Sequence, residues 1–259
     1  RVFEDARVQT VHVDDVASAV AQVARGEQGS RFVADLTESE SRSFYDLVRQ
    51  VRRWQGFPKW RLTFRIADSV VLVLGRGADL LSWFGWRSPL RTNALASLQS
   101  GISGDAAEWL RRGGDPMKSL EATLAEMPAT VQERAFARLY LLLPLAIGCL
   151  SIFWALSGLV GLVLFGAAKA VLTNANTSEG FATLSVLAGA FVDIALGLGV
   201  LWRKWTRLAC VGMIVVSLSY LIGGTIFVPA LWGDPLGPMV KIFPALVLAL
   251  FVALILEER

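Results

Sequence analysis

Between Arg138 and Lys169 the chain runs for 30 residues without a charge, LYLLLPLAIGCLSIFWALSGLVGLVLFGAA. A helix crosses the hydrocarbon of a bilayer in about 20 residues, so a run of this length reads as a membrane span. A second run of 26, LACVGMIVVSLSYLIGGTIFVPALWG, separates Arg207 from Asp234. Phe181 to Trp202 is a third, interrupted only by Asp193. Ile242 to Leu256 is short at 15 residues. It lengthens if Pro238 opens the helix, with Lys241 reaching outward along its aliphatic stem. The sequence predicts four spans near 139–168, 181–202, 208–228 and 238–256.

Charge divides the chain in two. Residues 1–138 hold 19 of the 25 Lys and Arg and 17 of the 22 Asp and Glu. The expected organisation is a polar unit over 1–127 and an all-α four-span bundle over 128–259. The net charge of +3 is spread among interspersed acids and bases, which argues against nucleic acid as a partner. The partner expected from composition is the lipid bilayer, and the sequence is silent on oligomeric state. Arg134 and Arg138 precede the first span, and Arg203, Lys204 and Arg207 separate the second from the third. The two remaining connections carry one Lys each. Basic loops stay on the cytoplasmic side, so both chain ends are expected there, in the inner membrane. The first long apolar run starts at 139 and carries no cleavage site, unlike a signal peptide.

Within the polar unit, VQTVHV (8–13) alternates like a strand, and Asp14-Asp15 offer N-caps to a helix closed by Gly26. RFVADL (31–36) reads as a second strand, and Thr37 with Glu40 as a capping box for a helix running to Trp54. That order predicts an α/β segment. The remainder to 127 reads as helical, with Ser88-Pro89 and Asp115-Pro116 as helix starts and Gly113-Gly114 and Pro128 as breaks. About 60 residues of α/β pattern is too little for a doubly wound sheet, and the chain starts at Arg1, so further sequence upstream is expected. VVLVLGRGADLLSWFGW (70–86) holds Arg76 and Asp79. It reads as an amphipathic helix, packed on the polar unit or lying on the membrane surface, rather than as a fifth span.

VQTVHVDDVA (8–17) resembles the late strand-and-helix segment of extended or atypical short-chain dehydrogenases of the NAD(P)-dependent epimerase type. LTESESRSFYDLVRQVRRWQGFP (36–58) resembles their C-terminal helix. PATVQERAFARLYLLLPL and LWGDPLGPMVKIFPAL resemble the DoxX-like four-span domain fused to some of these enzymes. The resemblance implies an α/β remnant, the substrate-side part of a Rossmann-type domain, followed by a membrane bundle. It implies a membrane-anchored portion of an NAD(P)-dependent oxidoreductase or epimerase. The dinucleotide is implied by the family alone. No glycine-rich phosphate turn occurs in 1–138, and Tyr45 is followed at the lysine position of the family's Tyr-x-x-x-Lys by Arg49. Cofactor and catalytic residues are therefore expected outside this chain, which alone would be inactive. The alternative is a DoxX-like membrane module with quinone-linked redox work or a scaffolding role for a membrane redox partner.

Several residues stand out as site candidates. His12, with Asp14 and Asp15, is a substrate-side candidate by the resemblance, or a strand histidine beside local helix caps. A single His and two distant Cys argue against a zinc site. Depth counted from the span starts places Cys149 about 15 Å in and Cys210 about 3 Å in, beyond disulfide reach, so both are expected as reduced thiols. Asp193 lies near mid-bilayer, where an ionisable group is costly and usually functional. By the same count Ser217 and Cys149 share its level. The plainer reading is a hydrogen bond from Asp193 to Ser217 that ties two helices. Gly189 and Gly197 flank Asp193 on one face and would admit another helix. In the outer connection, Trp232, Asp234 and Lys241 could cap the bundle over a quinone-like or lipid head group, or simply form a rigid turn.

Overall fold

The computed structural model describes residues 6–60, 67–86 and 88–256, and of Asp68 and Leu141 only the backbone. The described chain is mostly helical and separates into two compact units. One comprises the described part of Arg1–Trp83 with Arg87–Ala137; the other comprises Phe84–Trp86 and Arg138–Arg259.

Among the described residues of the first unit the only sheet is a pair of two-residue antiparallel strands, β1 (Arg7–Val8) and β2 (Arg42–Ser43). The strand–helix–strand repeat expected from the sequence is absent among the described residues, and with it the α/β remnant. The pattern over 8–13 misleads because His12 is an N-cap. Its Nδ1 accepts the Asp14 amide at 3.2 Å, and helix α1 (Val13–Ala24) has already begun. Asp14 and Asp15 are then first-turn residues, where their charge complements the helix dipole, and not caps. Gly26, at φ +78°, follows the end of α1 as expected.

Residues 31–36 form no ladder. Side chains hold them instead: Arg112 stacks over Phe32 at 4.4 Å, and Asp35 accepts the Asp105 amide at 3.0 Å. The capping box likewise falls later than Thr37 and Glu40. Ser43 Oγ accepts the Asp46 amide at 3.1 Å and opens α2 (Phe44–Trp54).

Glu38 explains the shift. It is buried, and its two carboxylate oxygens take four donors: the Thr10 amide and hydroxyl on one, Arg42 and the Leu120 amide on the other. A buried charge is tolerated only when so fully satisfied. This one joins three distant segments of the unit.

The helices α3 (Asp68–Trp83) and α4 (Thr92–Ser100) pack closely, since a Cβ on Gly75 would come within 3.0 Å of Leu95. Ser88-Pro89 precedes a turn, and α4 starts at Thr92. Asp79 of α3 takes the Thr92 hydroxyl at 2.6 Å and its amide at 3.4 Å, acting as an N-cap from another helix. α5 (Ala107–Arg111) carries Trp109, 2 % exposed, whose indole donates to the Asp115 carbonyl. Asp115-Pro116 is thereby drawn into a loop, and α6 (Leu120–Glu126) begins at the Ser119 cap.

The second unit holds four helices long and apolar enough to cross a membrane: α7 (Val131–Val163), α9 (Glu179–Gly199), α10 (Arg203–Phe227) and α11 (Pro238–Ile255). The short α8 (Phe165–Thr173) separates the first two, so the first apolar run breaks at Leu164 instead of continuing to 168. A 3-10 turn, Pro229–Gly233, joins the last two. In lipid every backbone group must be satisfied within its own segment, which is why the long apolar runs are helical. Leu150, Trp154, Val200, Cys210, Met213 and Val252 meet in its core.

The Asp79 cap is pH-dependent. The Thr92 hydroxyl bond holds the carboxyl below the usual carboxylate range. A depressed value adds stability above the unfolded value that is lost as pH falls through the folded one. Hydrogen exchange in the first turn of α4 should therefore accelerate only below about pH 4. In a Thr92→Val variant the acceleration should begin at a higher pH.

Candidate functional site

α9 is capped by Ser178, which accepts the Phe181 amide, and after Glu179 in its first turn Asp193 is its one ionisable residue. The Asp193 side chain points into the bundle, 4 % exposed. Tyr220 of α10 donates its hydroxyl to Oδ1 at 2.9 Å, and Ser157 of α7 donates to Oδ2 at 3.1 Å. Three membrane-capable helices thus meet on one carboxyl group. Among the described residues no cation pairs with it; both observed partners are hydroxyls.

The partner expected from depth was Ser217. Ser217 is buried, but the bond to α10 comes from Tyr220, one turn further on. Helical side chains lean toward the N-terminus, so a long phenol projects back toward the level of the residue a turn before it. Counting Cα positions misses this reach.

The expected level of α7 is also corrected. Ser157, not Cys149, stands opposite Asp193, a displacement of about 12 Å along the helix. The apolar run on α7 is longer than a span, so its start does not mark the membrane boundary. Glycine contacts set the register instead. A Cβ on Gly158 would lie 2.4 Å from the Ala190 carbonyl, and one on Gly197 would lie 2.6 Å from the Ala155 amide. The two helices cross backbone to backbone there. Gly189 serves differently, because a Cβ on it would meet the Tyr220 hydroxyl at 2.8 Å. The glycines around Asp193 therefore admit α7 on one side and the phenol on the other. Gly158 carried no sequence signal distinguishing it from the other glycines of its span.

Cys149 and Cys210 are both free. Ile147 and Leu150, which flank Cys149, belong to the same core cluster as Cys210. Cys149 is exposed and Cys210 is buried. A donor that sequence reasoning passed over is Trp154. Its indole Nε1 is buried with no partner among the described residues, one helical turn from Ser157.

The remaining candidates do not gather into a site. His12 caps α1 by accepting the Asp14 amide, the Asp14 carboxylate is exposed, and Asp15 accepts the Lys118 amide at 2.7 Å. Trp232 donates to Thr225, and Asp234 closes a turn on the Leu236 amide. Lys241 is exposed on α11. An open pocket of about 420 Å³ lies nearby, but Asn176, Thr177, Ser178, Phe181 and Phe227 line it rather than these three. Phe181 is about 18 Å from Asp193 along α9, so the pocket and the carboxyl are separate features. Among the described residues no group of three or more His, Cys, Asp or Glu could hold a metal.

Two substitution series follow from this geometry. Gly158→Ala and Gly197→Ala must push backbones apart, and each should cost about 1–3 kcal/mol by thermal unfolding in detergent, more than Gly189→Ala, which displaces only a side-chain end. Asp193→Asn keeps an acceptor for Tyr220 and should unfold near the parent temperature. Asp193→Leu forfeits both bonds, at about 0.6–2 kcal/mol each.

Residues 151–250, which include Asp193, Ser157, Trp154 and Tyr220, match the DoxX-like family model. No curated protein and no solved structure matches the chain. The second unit is thus a multi-pass membrane domain similar to the DoxX-like family, the match lying within α7–α11.

Proposed function

We propose that this chain is a membrane module for quinone-linked redox chemistry, with Asp193 as its proton-handling group. The observation that carries the reading is the carboxyl group itself, buried between three membrane-capable helices and partnered by the Tyr220 and Ser157 hydroxyls. Structural ties in membranes rarely use an ionisable group when a neutral amide would serve, and intramembrane carboxyls recur in proton relays. Similarity to DoxX-like proteins, associated as a family with membrane oxidoreductases, supports the same direction.

A bound quinone would supply two-electron, two-proton reduction, with electrons delivered by a membrane redox partner. The residues of this chain fit such a ligand in one respect that the helices alone do not require. Trp154 holds an unspent N–H donor one turn from Ser157, suited to a carbonyl oxygen. Asp193 can hold a proton at Oδ2 if Ser157 turns its own hydrogen away and accepts, and Tyr220 keeps Oδ1 in place meanwhile. The basic turn at 203–207 would face the cytoplasm of the inner membrane, with both chain ends.

Titration of the full chain in nanodiscs with a short-chain quinone analogue, followed by tryptophan fluorescence, tests this. Saturable binding is expected, weakened about tenfold in Asp193→Asn if the carboxyl bonds the ligand. No saturable binding, and no quinone in extracts of the purified protein, would defeat the reading. Topology is checked on a cysteine-free background. Lys204→Cys should be shielded from impermeant reagents outside the cell and Ser178→Cys labelled; the converse would invert the orientation.

A second reading makes the first unit the substrate-side part of an NAD(P)-dependent oxidoreductase. Its support is the resemblance of 8–17 and 36–58 to that family, since the described fold has only a short strand at Arg7–Val8 before α1. This chain, without a glycine-rich turn in 1–138, should not bind NADH or NADPH by calorimetry. A glycine-rich turn and a Tyr-x-x-x-Lys encoded upstream of Arg1 would favour the reading; their absence there would end it.

A further inference from the structure

α3 leaves most of its apolar surface uncovered. Val71, Gly75, Ala78 and Ser82, spaced by four, three and four residues, form the inward face, and Gly75 meets Leu95 and Thr92 of α4. The rest of the helix exposes Val70, Val73, Leu74, Leu80, Leu81 and Trp83, the last at 82 %. Arg76 is the one charged side chain described on that exposed surface, because Asp79 is turned toward Thr92. An apolar strip of this length is unusual on a protein face that meets water.

The chain itself says what lies beside it. Trp83 is joined by one peptide bond to Phe84, and Phe84–Trp86 is fastened to the turn between α9 and α10. The Phe84 carbonyl accepts the Arg203 amide at 2.9 Å, and its ring meets Trp202 edge-on at 5.6 Å. The Trp86 indole donates to the Leu201 carbonyl at 2.6 Å, and Arg203 lies over the Trp86 ring at 5.2 Å. That turn joins two membrane-capable helices and exposes Trp202 and Trp205, the residues that sit at head-group level. Consecutive Cα atoms are about 3.8 Å apart, so the last residue of α3 cannot leave that level. At 16 residues, with Arg76 at its centre, α3 is too short and too charged to cross. A helix tethered at head-group depth, with an apolar strip, a terminal Trp and a lone Arg, suits the plane of the lipid surface.

We propose that α3 lies in the interface of the bilayer that this chain spans, its exposed apolar face in the acyl region and Arg76 among lipid phosphates. This is independent of the quinone reading. The test uses the full chain, with Cys149 and Cys210 replaced by Ala, in vesicles of phosphatidylethanolamine and phosphatidylglycerol with brominated acyl chains. Single cysteines at Val73 and Leu80 carry a bimane fluorophore. Leu184→Cys, exposed on α9, is the lipid reference; Val33→Cys, exposed in the first unit, is the aqueous one. All four positions are exposed, and monodisperse elution screens for folding.

Labels at Val73 and Leu80 are expected to be quenched by bromolipid as Leu184 is, and to resist aqueous iodide. Quenching by iodide at the level of Val33 would place the face in water and overturn the proposal. Shielding from both quenchers would overturn it too, pointing to a second copy or another protein over the strip.

Discussion

A single buried carboxyl organises the apolar half of this protein. Between helices in lipid there is little hydrophobic driving force, so contact depends on close packing and on polar groups that have no solvent to turn to. Asp193 supplies the polar part, drawing a hydroxyl from α7 and another from α10. Gly158 and Gly197 supply the packing part by bringing α7 and α9 into backbone contact, and Gly189 leaves room for the phenol of Tyr220. Removing a glycine from this arrangement changes where the carboxyl can point.

The first unit solves the opposite problem. Its described residues form only a two-stranded ladder of two residues each and mostly short helices, so regular secondary structure contributes little to joining its parts. Side-chain to backbone bonds do that instead. Glu38 links the segments around Thr10, Arg42 and Leu120 through one buried carboxylate, and Asp15 and Asp79 each capture a backbone amide far away in sequence. Three acidic residues therefore hold together a unit that an alternating pattern of apolar residues would otherwise suggest is a sheet.

Function attaches to these two modes of cohesion differently. In the first unit His12 caps a helix and Asp15 tethers a distant amide, while the Asp14 carboxylate points to solvent, and the three form no enclosed site. In the bundle the carboxyl is satisfied by donors that can rearrange, and Trp154, one helical turn from Ser157, has an indole with no partner among the described residues. A group held by adjustable hydroxyls can change its proton without dismantling the fold. That difference, more than any likeness of sequence, directs attention to the membrane half.

The four membrane-capable helices and their order were legible in the sequence because length and apolarity are local properties, and lipid leaves a helix no alternative. A helix within 70–86 was legible for the same reason, although it spans Asp68–Trp83. The partners of Asp193 were not: long apolar runs carry no mark of register, and which glycine faces which backbone is settled only when two helices meet. The apparent strands at 8–13 and 31–36 failed on the same ground. Alternation is a local signal, but whether it becomes a strand depends on a neighbouring chain to pair with, and here only Val8 of those segments joins a ladder, while Glu38 takes the Thr10 amide and the chain turns into α1 at His12. Composition determined where this protein resides, and only tertiary contacts decided which of its polar residues meet.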